Sequence, residues 1–157
     1  MYASYMLPYP STMPGNKIYK ITRILDSLKE YWYFGDIAQA KYHLMLSDKY
    51  LVEAKTLFEY RQYLLGQDAL IRSDTQFAAL SDSLKSIEKN GKNATEIKRL
   101  VQDAADSHIA LLNILQSNTP MEFEWTPEKG NVTHIPIHDM ISDAKNLRMK
   151  VKNSSDN

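Results

Sequence analysis

Apolar side chains recur at alternating spacings of three and four residues along most of this chain. The first such seam starts at Ile18, continues through Ile21 and Leu25, and ends at Gly35. Only a helix brings residues with this spacing onto one face, and that face must be buried against another element. The sequence therefore predicts a fold built from packed amphipathic helices, the first of them starting near Asn16.

Four more helices are predicted after the first. They run from Asp36 to about Glu59, from Tyr63 to Asn90-Gly91, from Thr95 to about Ser117, and from Pro136 to the polar C-terminal segment. Tight turns and proline or glycine residues separate them, as expected for helix ends. Their predicted core positions are Ile37, Ala40, Leu44, Ser47, Leu51, Ala54 and Phe58; Tyr63, Gly66, Leu70, Ser73, Phe77, Leu80, Leu84 and Ile87; Ile97, Leu100, Val101, Ala104, His108, Leu111, Leu112 and Leu115; and Ile137, Met140, Ala144, Leu147 and Val151.

The segment EFEWTPEKGNVTHI, which precedes the last helix, has a different pattern. Apolar and polar residues alternate on both sides of TPEKGN, which indicates a small β-hairpin or an extended strap. A two-stranded hairpin is marginally stable alone, so this insert must lean on the helices.

Together these patterns predict an all-α fold, an antiparallel bundle of about five helices with one strand-like or hairpin insert before the last helix. We expect one domain over residues 1–152, with a proline-rich N-terminal strap at residues 1–15 and a disordered tail at residues 153–157. The strap is predicted to dock on the bundle, because its tyrosines, methionines and leucine are too apolar for a free linker.

Composition removes several classes of function. The 19 basic and 19 acidic residues cancel, so the chain has no overall field to attract nucleic acid or anionic lipid. No apolar run reaches the roughly 20 residues that cross a bilayer. Cysteine is absent, which excludes disulfides and thiolate metal sites. We expect no cofactor, no nucleic-acid partner and no transmembrane segment in the chain as given.

Three residues in THIPIHD offer the most specific chemistry in the sequence. His134, His138 and Asp139 are metal-ligand types at short spacing, but Pro136 lies between the histidines and opposes a shared helical face. The alternative is that these side chains are solvent-facing residues at the start of a helix. Glu122 and Glu124 lie close by in sequence and are expected on the wet side of the insert.

Two further histidines fall on or beside helix seams. His108 lies in the seam of the fourth helix and His43 lies beside that of the second. A buried histidine with one or two hydrogen-bond partners is commoner than a general base, and no nucleophile elbow or phosphate loop accompanies either residue. The sequence thus leans against an enzyme.

The densest aromatic stretch is EYWYFGD. Trp32 falls on the first seam, whereas Tyr31, Tyr33 and Phe34 point to other sides of that helix. Either the proline-rich strap, with Tyr9, covers them, or they form an exposed patch of the kind that marks a binding site. We predict Tyr9, Tyr31, Tyr33 and Phe34 as the candidate contact surface.

Two segments, LPYPSTMPGNKIYKITRILDSLKEYW and AKYHLMLSDKYLVEAKTLFEYRQYLL, resemble an uncharacterised family of bacterial secreted or envelope-attached helical domains. Members start with a tyrosine, proline and glycine segment after a signal peptide and continue with long alanine- and lysine-containing helices. The resemblance covers about the first half of the chain and implies an extracytoplasmic helical fold without a known activity. The matching residues are Pro8, Tyr9, Pro10, Pro14, Gly15, Tyr19, Asp26, Lys29, Asp48, Lys49, Glu53 and Ala54.

The leading hypothesis is a non-catalytic, extracytoplasmic binding or scaffold module at the bacterial cell envelope, whose partner is a protein or envelope component. Extracytoplasmic location requires a signal peptide upstream of Met1, and without one the protein is expected in the cytoplasm. One alternative is a metal-dependent or hydrolytic protein that uses the region of His134, His138 and Asp139. Another is a cytoplasmic tetratricopeptide-like adaptor, suggested by the helical hairpin around Gly66.

Overall fold

The computed structural model describes residue 7 and residues 35–156 of the 157-residue chain. The proline-rich strap, apart from Leu7, and the predicted first helix lie outside the described residues. Within the described part the fold is helical with one small antiparallel sheet before the last helix, as predicted. The elements are α1 (Asp36–Glu59), α2 (Tyr63–Lys89), α3 (Thr95–Asn118), β1 (Phe123–Trp125), β2 (Thr133–Ile135) and α4 (Ile137–Ser155).

Helices α1 and α2 form a tightly packed antiparallel hairpin. Small residues of the α1 seam, such as Ala40 and Ala54, are completely buried, which confirms the predicted alternation of large and small side chains. At the tip, a β-carbon added to Gly66 would lie 3.2 Å from the Phe58 ring. Because a larger side chain would push the ring away, Gly66 permits the close approach of the two helices.

Helix α1 is buried on a second face that the sequence analysis did not predict. Tyr42, Leu46 and Tyr50 form a separate buried apolar cluster on the side opposite Leu44 and Leu51. In a helix, residues four apart lie on one face, which explains why these three side chains meet. Helix α1 therefore has buried apolar side chains on two opposite faces.

The second pair, α3 and α4, stacks on the first pair. The first helix of each pair lies beside the first helix of the other, and the two second helices are likewise neighbours. Helix α1 packs on α3 and α2 packs on α4, whereas α2 and α3 share few contacts. Each stacked pair runs in parallel: Lys41 approaches Glu96 at 3.8 Å near the start of α1 and α3, and Asp48 meets His108 farther along both helices. Only helices consecutive in sequence are antiparallel.

This stacking resembles that of helical repeats, but the helix lengths differ from a tetratricopeptide unit. Helices α1 and α2 contain 24 and 27 residues. Both helices of a tetratricopeptide unit fit within about 34 residues. The α1–α2 hairpin is longer than such a repeat. Among the helices of residues 35–156, none has the combination of length and apolar character that a membrane span requires.

The insert before α4 is a β-hairpin. Phe123 pairs with Ile135 and Trp125 with Thr133 across the two strands. Ile135 is completely buried, and the Phe123 ring lies 4.8 Å from the ring of Tyr63 at the start of α2. The hairpin thus leans on the helices, as its marginal independent stability requires.

The predicted seam of α4 was partly wrong. Met140 and Leu147 are only partly buried. The seam is shifted because Arg148, which was not among the predicted core positions, is buried and forms four hydrogen bonds. The helix also continues to Ser155, inside the predicted tail, and Ser155 is buried. The buried residues of α4 are Ile137, Ile141, Ala144, Arg148, Val151 and Ser155.

The ends of α1 and α2 have the same hydrogen-bond geometry but different residues. After α2, Gly91 adopts a φ of 70°, which glycine tolerates without steric cost. After α1, Arg61 occupies the equivalent position with a φ of 58°. The amide of Arg61 bonds to the carbonyl of Phe58 at 3.0 Å and that of Gln62 bonds to Leu57 at 2.8 Å. A residue with a β-carbon is therefore held in the left-handed conformation.

We predict that Arg61→Gly raises the free energy of unfolding by about 1 kcal/mol, because the left-handed conformation costs a residue with a β-carbon about 1–2 kcal/mol and glycine loses part of this gain through unfolded-state entropy. Urea denaturation followed by circular dichroism measures the change. Arg61→Ala is the matched control and should change stability little, since alanine keeps the β-carbon. A destabilised Arg61→Gly variant would contradict this account of the turn.

Candidate functional site

A buried ionic network lies where the four described helices meet, and its central group is the Arg148 side chain. Arg148, on α4, is 0% exposed. Its guanidinium donates hydrogen bonds from Nη1 to Asp74 Oδ1 at 2.5 Å, from Nη2 to Ser73 Oγ at 2.9 Å and from Nε to His108 Nδ1 at 3.0 Å. Nη1 also bonds to the Ala144 carbonyl at 2.9 Å. These bonds satisfy a charge that would otherwise be costly to bury.

His108, on α3, connects Arg148 to α1. Its Nε2 lies 2.7 Å from Asp48 Oδ1. The Arg148 Nε–H is a donor, so Nδ1 of His108 accepts and carries no proton, and the proton of the neutral ring lies on Nε2, where it is donated to Asp48. The Phe77 ring lies 5.2 Å from the imidazole and 5.3 Å from the guanidinium. His108 is therefore a buried histidine with two polar partners, as its seam position predicted.

Two serines extend the network across the α1–α2 hairpin. Ser73 Oγ accepts from Arg148 and donates to the Ser47 carbonyl at 2.7 Å, and Ser47 Oγ donates to the Ser73 carbonyl at 3.1 Å. Both serines are completely buried. Each small side chain satisfies polar groups while leaving the two backbones close together. The network therefore links all four described helices by continuous hydrogen bonds.

Burial controls the ionisation of these groups. Burial lowers the pKa of His108, an effect that the Arg148 charge strengthens and the hydrogen bond to Asp48 opposes. Burial raises the pKa of Asp74, and the adjacent Arg148 guanidinium opposes that rise. Burial also lowers the pKa of Arg148, while Asp74 favours its charged form. The network is most stable when the His108 ring, which lies between Arg148 and Asp48, is neutral.

The Asp48–His108 pair resembles the acid–histidine pair of many hydrolases, but its geometry does not permit that chemistry. Both imidazole nitrogens are engaged, Nε2 by Asp48 and Nδ1 by Arg148. The His108 side chain is 0% exposed, so no substrate proton comes within reach of either nitrogen. A general base needs one free nitrogen facing a nucleophile. This pair is a structural connection between α1 and α3.

The residues of the predicted metal site lie on two elements, His134 on β2 and the other two on α4. His138 Nε2 donates to the Thr119 carbonyl at 2.9 Å, and its amide bonds to the Met121 carbonyl at 3.0 Å. His134 lies on the outer face of β2, where its Nε2 is 3.5 Å from Glu122 Oε2. Asp139 is exposed. Over the described residues no three histidine or acidic side chains cluster as metal ligands.

The predicted contact surface, formed by Tyr9, Tyr31, Tyr33 and Phe34, lies outside the described residues. It stays a prediction. His43, predicted beside the α1 seam, is 2.7 Å from Gln76 Oε1 through its Nδ1 and connects α1 to α2.

Sequence reasoning missed Arg148, Asp74 and the role of Asp48. The missed signal is the spacing of Arg148, which lies four residues after Ala144 and three before Val151, both of which are core positions. A charged residue at a seam position in one helix, together with a histidine at a seam position in another, indicates a buried polar pair. Serines at the seam positions 47 and 73 supplied a third sign of a polar core.

Comparison of the chain with protein-family models, with curated proteins and with solved structures gives no match. The resemblance to a bacterial envelope family, described above from the sequence, therefore stays a hypothesis. What this molecule does has to be inferred from its own residues.

We predict that Arg148→Ala lowers the free energy of unfolding by about 3–5 kcal/mol, because it leaves Asp74 and His108 without their main partner. Thermal and urea denaturation measure the loss. Lys152→Ala is the matched control on the same helix, because Lys152 pairs with Asp106 at 2.6 Å at the surface. Its loss should stay below about 1 kcal/mol. Equal losses in the two variants would show that the buried network contributes no more to stability than a surface ion pair does.

The network also predicts an acid dependence of stability. Because the pKa of His108 is lowered in the fold, the unfolded chain takes up a proton first as the pH falls below about 6.5. The stabilisation is complete above this pH and decreases below it, by at most about 1.4 kcal/mol per pH unit. Protonation would also place a donor on Nδ1, facing the Arg148 donor.

We predict that His108→Gln flattens this dependence, since an amide donates to Asp48 and accepts from Arg148 without titrating. The measurement is urea denaturation between pH 7.5 and about 5. Asp74 acts in the opposite direction through its raised pKa, so the difference between wild type and variant isolates the histidine. His134→Gln, at the surface, serves as the control. An identical pH profile for wild type and His108→Gln would contradict the assignment of the acid dependence to His108.

Proposed function

We propose that this protein is a non-catalytic helical binding or scaffold module. The observation that carries the proposal is the closed Asp48–His108–Arg148 network. The acid–histidine pair with the most enzyme-like composition in the described part is buried, and both nitrogens of its histidine are hydrogen-bonded. Its chemistry is used to hold helices together. A rigid stack of helices whose buried polar groups are hydrogen-bonded can present an outer surface to a binding partner.

The contact surface that we propose is the aromatic group Tyr9, Tyr31, Tyr33 and Phe34. Large aromatic side chains contribute most of the binding energy at many interfaces. Three of them are consecutive or nearly so at the end of the predicted first helix and directly precede α1. A helix cannot turn all three toward one interior, which supports a role for at least one of them in binding.

We place this module at the bacterial cell envelope. Support comes from the sequence resemblance described above and from the tyrosine- and proline-rich start of the chain. The partner would then be a protein or another envelope component. The balanced charge of the chain argues against a purely electrostatic attachment to anionic lipid or nucleic acid.

The two other hypotheses have less support. The imidazole of His138 is hydrogen-bonded to a backbone carbonyl, and His134 faces away on β2, so neither geometry favours a shared metal. The tetratricopeptide-like adaptor is opposed by the length of α1 and α2. If the surface of the α1–α2 hairpin mediated binding instead, alanine substitutions at Tyr31 and Phe34 would leave binding unchanged.

We predict that the double variant Tyr31→Ala/Phe34→Ala binds bacterial envelope extract at least about tenfold more weakly than wild type, a loss of about 1.4 kcal/mol. Immobilised protein and quantified retention of envelope components provide the measurement. Size-exclusion chromatography with light scattering shows whether self-association changes in parallel. Circular dichroism confirms that the variant remains folded.

Tyr60→Ala is the matched control, since Tyr60 is an aromatic residue that is 66% exposed and lies elsewhere, at the end of α1. Its binding should equal that of wild type. Unchanged binding and unchanged association of the double variant would reject the aromatic surface. An equal loss in Tyr60→Ala would mean that retention reflects general hydrophobicity.

A further inference from the structure

The second apolar face of α1 is buried, although the other described elements bring no apolar side chain to it. Tyr42, Leu46 and Tyr50 are 1%, 3% and 5% exposed. Among the described residues their cluster is formed by α1 alone, without an apolar side chain from α2, α3, α4 or the β-hairpin. Side chains on one face of a single helix cannot exclude water from their own outer side. Another element must therefore cover this face.

The chain itself has the length for such a cover. Residues 16–34, which lie outside the described residues, directly precede α1 and carry the first predicted seam. A helix over these residues would be about 28 Å long, whereas Tyr42 to Tyr50 extend over about 12 Å of α1. The segment is therefore long enough to cover the whole buried face.

Gly35 provides the reversal of direction that would bring the segment back along α1. Its φ of 95° is a conformation that glycine adopts at low cost. Its carbonyl accepts a hydrogen bond from the Gln39 amide at 3.0 Å, so α1 starts immediately after it. Helices joined by so short a connection run antiparallel to each other. The connection also holds the segment at a high effective concentration near this face, which favours it over a second copy of the chain.

The predicted seam and the buried face have the same spacing. In an antiparallel pair of helices, residues at equal distances from the turn would lie side by side. Each seam residue of the segment has a residue of the buried face at the same distance from Gly35, to within one position. The pairs are Leu28 with Tyr42, Leu25 with Leu46, Ile21 with Tyr50 and Ile18 with Glu53. The seam follows from the sequence and the face from burial, so their agreement at four levels supports contact between them.

The fourth pair accounts for a carboxylate on this face. Glu53 is 2% exposed. A buried carboxylate requires a hydrogen-bond donor or a cation beside it. Lys17, Tyr19 and Lys20 flank Ile18 in the segment and carry donors of both kinds. The segment thus matches the face in charge as well as in apolar spacing.

We propose that residues 16–34 form a helix that docks antiparallel on the face of α1 formed by Tyr42, Leu46 and Tyr50. Trp32 belongs to the docked seam, and Phe34 follows it by two residues, about 200° around a helix. Docking therefore leaves Phe34 on the side that faces away from α1. This placement of Phe34 rests on the contact surface proposed above, whereas the docking itself does not depend on that surface.

A pair of cysteines across the proposed contact tests the docking, because the chain has no cysteine of its own. Helices packed about 8–10 Å apart bring facing α-carbons into the range of about 4.4–6.8 Å that a disulfide requires. Under mild oxidation the full-length Leu25→Cys/Leu46→Cys variant should form an intramolecular disulfide, detected as a linked peptide by mass spectrometry. Leu25→Cys/Glu59→Cys is the control and should stay reduced, since Glu59 is exposed and lies about 20 Å farther along α1.

Proteolysis gives a second readout that needs no cysteine. Trypsin cleaves after lysine and arginine, and Arg23 lies inside the proposed helix. Leu46→Glu places a charge on the docked face and should speed cleavage at Arg23 at least about tenfold, because cleavage follows the population of the undocked segment. Cleavage at Lys85, in α2, reports whether the described helices remain folded and should not change. Met45→Glu is the matched control, since Met45 is 44% exposed beside Leu46, and it should change the rate at Arg23 less than about twofold.

Three results would overturn the proposal. The first is equal disulfide formation in the two cysteine pairs, or none in either while both variants remain folded. The second is equally rapid cleavage at Arg23 in wild type and Leu46→Glu. The third is a disulfide that joins two chains, which would assign the face to a second copy. Loss of envelope binding in Tyr31→Ala/Phe34→Ala changes none of these readouts, so failure of the docking and failure of the contact surface are distinguishable.

Discussion

The Arg148 guanidinium is a full positive charge at the centre of the described helices, and the rest of their arrangement depends on how it is satisfied. Its three nitrogen atoms donate to groups on α2, α3 and α4 itself, and His108 passes the connection on to Asp48 in α1. Leaving such a charge unpaired in the interior costs several kcal/mol. Among alternative packings of the same helices, those that break these bonds are therefore strongly disfavoured.

The need to satisfy Arg148 explains why α1 lies beside α3 and α2 lies beside α4. Apolar seams alone permit a helix to slide by one turn or to exchange partners, because leucine, isoleucine and alanine contacts are not directional. The bond between Asp48 and His108 fixes α1 against α3, and the bonds from Arg148 to Ser73 and Asp74 fix α4 against α2. A shift of one turn, about 5.4 Å, would break both sets of bonds. The polar core thus selects one register among several that the apolar seams accept.

Sequence periodicity predicted most of the described helices because their interiors follow the simple rule of apolar residues at helical spacing. It predicted the turn before Tyr63, the glycine contact at Gly66 and the β-hairpin that leans on the helices. It missed Arg148 in α4, where a charged residue occupies a core position, since the partners of Arg148 lie on two other helices, α2 and α3, and no local pattern reports them. The network was invisible for the same reason. Asp74 and His108 are 34 residues apart, and only the fold brings them to one arginine.

The same network also shapes the surface between α2 and α4. Arg148 faces Ser73 and Asp74 on one turn of α2, and Leu147 and Val151, on either side of it along α4, turn toward a shallow groove lined by Ala78 and Lys85. The separation of α2 and α4 at Arg148 therefore sets the width of the groove one turn away. In this molecule, residues with the composition of a catalytic site act as a structural scaffold.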